Sequence, residues 1–106
     1  MTKVIYEPSE MRMSISGHAG YAPAGQDIVC SAVSILSMAL ENMVIDHAES
    51  MQPKIHRKNG ERKISCSPTK GNTRRCTTIF DTIYGGFELL AMNYPDHVQV
   101  IKVKGE

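Results

Sequence analysis

An imidazole and a thiol flank one glycine-rich stretch of this chain, His18 inside Gly17-His18-Ala19-Gly20 and Cys30 closing Gly25-Gln26-Asp27-Ile28-Val29-Cys30. Thiols attack carbonyl carbon as thiolates, a form favoured by the unpaired amides and the positive dipole end at a helix start. An imidazole within reach can take the thiol proton and later protonate a leaving amine, as acyl transfer near neutral pH requires. His18 and Cys30 therefore read as base and nucleophile. The residues alone leave the plainer reading open, because a first-turn cysteine is also a common small packing residue and a loop histidine commonly bonds a backbone carbonyl.

Three neighbours belong to the same candidate site. Asp27 is either the cap of the helix that follows or the group that orients His18. Ser34, one turn beyond Cys30, either lines the site or bonds back into its helix. Gly20, Tyr21 and Gly25 sit in a stretch whose glycines and Pro23 break regular structure, predicting a flexible loop that lies against substrate, disordered or displaced in the free protein and closing on the peptide.

The elements that must position these groups follow from periodicity. Val4-Ile5-Tyr6 reads as a strand, and Met11, Met13 and Ile15 alternate with Arg12, Ser14 and Ser16 as a second, delivering His18 just past a strand end. Val29, Val33, Leu36, Leu40, Met43, Val44 and His47 recur at helical spacing, predicting a helix from Asp27 to about Ser50. On it, Cys30 falls on a flank with Ser34, Ser37 and Glu41, beside the apolar stripe. Asn59-Gly60 predicts a tight hairpin joining Lys54–Lys58 to Glu61–Cys66, with Ile55 opposite Ile64 and Lys58 opposite Glu61. A second helical stripe from Cys76 runs to about Asn93 with Gly85-Gly86 as its weak point, and Val98 to Val103 is a closing strand. The expected fold is α+β, two helices packed on a largely antiparallel sheet in the order β-β-α-β-β-α-β, with strand order left open.

Composition bounds the function. The 106 residues, 42% hydrophobic, predict one domain over 1–106 that gains stability as a homodimer, with Met11 and Met13 as candidates for an apolar dimer face. The total of 12 Lys+Arg against 11 Asp+Glu argues against a general nucleic-acid binder. Lys54, Arg57, Lys58, Arg62, Lys63, Lys70, Arg74 and Arg75 nevertheless cluster in one segment with Glu61 as its sole acid, either a solvated surface or a contact for RNA or an acidic protein. No aromatic residue interrupts that patch to stack on bases. Cys30, Cys66 and Cys76 lack metal or disulfide-framework spacing, and Cys66 and Cys76 read as packing residues. His47, His56 and His97 have no mutual ligand spacing, so neither metal nor cofactor is expected. With no signal-peptide core at Met1-Thr2-Lys3-Val4 and no run judged long enough to span a bilayer, the expected compartment is the cytoplasm.

The run from Gly17 to Tyr21 together with Gly25 to Ser34 closely resembles the ribosomal-processing cysteine protease family of Firmicutes and related bacteria. Chain length, element order and the segment from Asn93-Tyr94-Pro95 to Val103 are similar as well, although residues 17 to 34 alone are specific. Ser31 stands where that family usually has Ala, and the basic hairpin is outside its motif. The resemblance implies an endopeptidase, with Cys30 as nucleophile and His18 as base and acid, that removes a short N-terminal extension from a ribosomal protein of the large subunit. It also implies that members carried by phages process capsid or scaffold proteins. The alternative reading is a ribosome- or RNA-associated binding module that uses residues 54 to 75.

Overall fold

Alternation of apolar and polar residues turns one side of three strands inward. In the computed structural model, which describes residues 1–104, β1 (Thr2–Glu7) and β2 (Arg12–Ser16) form an antiparallel hairpin around a 3-10 turn at Pro8–Glu10. Thr2, Val4 and Tyr6 of β1 and Met13 and Ile15 of β2 are buried on one face. The expectation that Met11 and Met13 could form a dimer face is corrected, since both are core residues. The inward parity of β2 leaves the Met13 side chain nowhere else to go.

Helix α1 spans Ile28–Asp46 and inserts Val29, Val33, Leu40 and Val44 into that core. It stops short of the expected Ser50: His47 leaves helical geometry, and a separate short helix, α2 (Ala48–Met51), follows. By length and composition α1 could cross a bilayer, with a mean hydropathy of 1.9, contrary to the expectation that no segment could. Its inner stripe is here the core of the fold, and its buried Glu41 is paired to arginines from the sheet.

Strands β3 (Pro53–Lys58) and β4 (Glu61–Cys66) form the hairpin in the expected register, Ile55 facing Ile64 and Lys58 facing Glu61. Asn59 and Gly60 both have positive φ, as a two-residue turn with this twist demands. Helix α3 (Thr73–Asn93) buries Cys76, Phe80, Tyr84 and Phe87, and runs unbroken through Gly85-Gly86. Gly86 is an approach point for α1: a Cβ there would come within 2.7 Å of a Leu36 methyl, so the missing side chain lets the helices close.

Strand β5 (Val98–Lys102) completes a five-stranded sheet in the order β3-β4-β2-β1-β5. Only its pairing with β1 is parallel. The fold is the expected α+β sandwich with the long helices on one side of a mostly antiparallel sheet. The expected domain limit at 106 falls two residues outside the described ones.

Candidate active site

His18 follows β2, and its backbone is pinned on both sides. At Gly17, φ is +84° and any Cβ would collide with the Met1 carbonyl oxygen, so glycine lets the chain pass against the start of β1. The Gly17 amide donates to the Gly60 carbonyl at the hairpin turn. Ala19 is 2% exposed, and its carbonyl accepts from Nδ1 of His97 at 2.9 Å. Because a carbonyl only accepts, Nδ1 of His97 carries the proton. Between these anchors the His18 side chain is exposed.

Cys30 sits in the first turn of α1, half-buried. Asp27 is the cap: its Oδ1 accepts from the Cys30 amide at 2.8 Å, and Oδ2 accepts from the amides of Tyr21 at 3.0 Å and Ala22 at 3.4 Å. These amides, the Cys30 amide foremost, hold the Asp27 carboxyl below its ordinary range. Among the described residues Asp27 makes no hydrogen bond to His18, so the geometry gives it the capping role. The same contacts mean that the Cys30 amide is already engaged.

The loop between His18 and Asp27 is tethered along its length. Tyr21 packs edge-on against Tyr94 and His97, with ring centroids 5.4 Å away in each case. The Gln26 amide closes a turn onto the Pro23 carbonyl. Gly20 and Gly25 take positive φ and have open space where a Cβ would go.

Two cavities meet at the candidate pair. One, of about 650 Å³, runs under the loop past Gly20, Gly25 and Asp27; the other, of about 450 Å³, runs along α1 toward the hairpin. His18, Cys30 and Ser34 border both. Ser34 thus lines both cavities, and Ser37, which lines the second, bonds back to the Val33 carbonyl at 2.8 Å.

The hairpin wall contains groups that the sequence assigned to the basic segment and not to the site around Cys30. Arg57 and Arg62 are directly opposed on β3 and β4, on the same sheet face as Ile55 and Ile64. Like charges in such a position repel. Glu41 of α1 answers both: Arg57 donates to it through Nε and Nη2 at 3.0 and 2.9 Å, and Arg62 Nε lies 3.3 Å away. A signal was available, because the hairpin register turns two arginines inward and the spacing of α1 sets Glu41 on the flank of Cys30. Two of the eight clustered basic residues are therefore tied to a helix carboxylate.

The remaining thiols and imidazoles lie elsewhere. Burial pushes the Cys66 thiol up to about 12, helped by the neighbouring Cys76, and burial raises Cys76 as well. His47 Nδ1 donates to the Met43 carbonyl in the last turn of α1.

Residues 1–99 match the sequence model of the family described as cysteine protease Prp. Among solved structures, the chain is similar to the essential ribosomal processing protease Prp from S. aureus in complex with a covalently linked product peptide. That match has 20% identity and a TM-score of 0.84 over 97% of this chain and 100% of that one. The same S. aureus protease in complex with a substrate peptide matches at 19% identity and TM-score 0.76, with 97% and 100% covered. SMU.848 from Streptococcus mutans is 26% identical, with a TM-score of 0.69 over 98% and 93%. No curated protein matches the sequence significantly.

Proposed function

This chain belongs to the cysteine protease Prp family, and on that premise we propose that it is an endopeptidase with Cys30 as nucleophile and His18 as base and acid. The observation that carries the reading is the meeting of two cavities at these two side chains, which leaves room for polypeptide on either side of the thiol. The proposed substrate is the precursor of a large-subunit ribosomal protein bearing a short N-terminal extension. The likeness to the S. aureus ribosomal processing protease supports that choice.

In the proposed cycle His18 accepts the Cys30 proton and the thiolate adds to the scissile carbonyl. Collapse of the tetrahedral adduct breaks the C–N bond, and His18 gives its proton to the departing amine. Water, deprotonated by His18, then cleaves the thioester to carboxylate and free thiol. Gly20, Tyr21 and Gly25 shift over the peptide as it binds, which requires Tyr21 to leave Tyr94 and His97. The Cys30 amide can donate to the oxyanion only when the Asp27 carboxylate releases it.

Part of the same proposal is a cytoplasmic homodimer with one protease domain over 1–106. Ile35 and Leu89, both more than half exposed, line the seam between α1 and α3 and leave an apolar surface that a second copy would cover. Sedimentation of the protein and of Leu89→Glu tests it, the substituted chain sedimenting as monomer.

Activity is tested by incubating the protein with precursors of ribosomal and phage structural proteins and reading the products by mass spectrometry, with Cys30→Ser as control. A single N-terminal cut that disappears in the control is the expected result. Cleavage that persists in Cys30→Ser would overturn the assignment.

A further inference from the structure

The hairpin end of the 450 Å³ cavity gathers more cationic groups than acceptors, with Arg57, Lys58 and Arg62 against Glu61 in its lining. Nη1 of Arg62 is buried and has no hydrogen-bond partner among the described residues. Beyond the lining, α1 offers Glu41 to the two arginines. Glu41 is 4% exposed and engaged by both guanidiniums, so it has little capacity for a further N–H. Nη1 itself is sealed from solvent, but the Arg62 side chain is still 27% exposed and lines the cavity, so an incoming oxygen that meets its exposed part finds a charged group in surroundings with surplus positive charge.

We propose that Arg62, held by Glu41 and backed by Arg57, forms a specificity subsite for a side-chain oxygen of the substrate, a carboxylate or carboxamide, lying about four residues from the scissile bond. The spacing comes from the helix. Glu41 is eleven residues beyond Cys30 on the same flank of α1, about 16 Å along the axis. Its side chain leans back toward the helix start, and an extended peptide advances about 3.3 Å per residue. Cavity-lining residues on that flank between the two, Ser34 and Ser37, are small and leave a channel for the peptide. The proposal rests on the protease reading for the position of the scissile bond, but the acceptor preference is a binding property.

The test therefore measures binding and cleavage separately. Fluorescein-labelled peptides that contain the cleaved sequence, or an equivalent extended segment, carry Glu, Gln or Leu in turn at each of the third to fifth positions on either side. They are titrated onto Cys30→Ala protein and onto Cys30→Ala/Arg62→Met, and the unlabelled set is given to the active enzyme. At one position Glu and Gln peptides are expected to bind about tenfold more tightly than the Leu peptide, and Arg62→Met is expected to erase that difference while leaving the Leu peptide unchanged. Arg62→Lys, which keeps the charge, should retain part of the preference and serves if the Met variant melts early. Equal binding of all three peptides at every position would overturn the subsite, as would a preference that survives Arg62→Met. An acceptor preference without cleavage by the active enzyme would keep the subsite and remove the protease reading.

Discussion

Cys30 and the pair Cys66 and Cys76 carry the same thiol into opposite surroundings. Cys30 stands half-buried at a helix start where two cavities join. Cys66 ends β4 and Cys76 sits on the inner face of α3, both sealed in the core, where desolvation favours the neutral form. The contrast shows that placement, far more than residue type, separates a thiol accessible for the proposed attack from a packing group.

The sharpest way to break the contrast is chemical labelling. With its thiol near 12, Cys66 is thiolate in about one molecule in ten thousand or fewer at pH 7.5. Iodoacetamide should therefore modify Cys30 in the native protein and reach Cys66 and Cys76 only after denaturant is added, as read by peptide mass spectrometry. Comparable native labelling at Cys66 would end the distinction.

Substitution separates the sites next. Cys30→Ala is expected to lower cleavage by at least about a thousandfold with an unchanged melting temperature. Cys76→Ser should do the reverse, keeping cleavage within about twofold at low temperature but losing about 1–2 kcal/mol of stability, because it places a hydroxyl in the core. Denaturant titration and peptide kinetics on the two variants check both halves.

A smaller effect sharpens what makes the Cys30 side special. His97→Ala removes the donor to the Ala19 carbonyl and loosens the residue next to His18. A loss of about tenfold in kcat with little change in KM is expected, partly restored by His97→Gln, whose amide can still donate. A change confined to KM would remove the positioning role.

The smallest effect is in alkali. Because folding raises the Cys66 thiol above its ordinary 9.0, the native state holds a proton that the unfolded chain releases. Its contribution to stability is complete below pH 9.0 and is lost as pH rises toward about 12. Melting temperatures of the wild type should fall across that window more steeply than those of Cys66→Ala.

Much of this arrangement was legible beforehand. The Asn59-Gly60 turn set the β3/β4 register, and helical spacing put Cys30 on a flank with Ser34, Ser37 and Glu41. Other features depended on distant partners. His97 showed no link to the candidate site because nothing local ties it to Ala19, and Gly86 read as a weak point because Leu36, its neighbour in space, lies far away in sequence. Arg57 and Arg62 read as part of a surface patch until the approach of α1 brought Glu41 between them.

By itself the amino-acid order determined the five strands, the two long helices, the inward face of β2 and the candidate pair of side chains, since these depend on short-range periodicity, turn chemistry and side-chain identity. Tertiary structure alone decided that β5 lies parallel beside β1, that His97 holds the Ala19 carbonyl beside His18, and that Glu41 of α1 meets both Arg57 and Arg62 of the hairpin. Those outcomes belong to pairs of groups remote along the chain, whose meeting is settled only when the whole core closes.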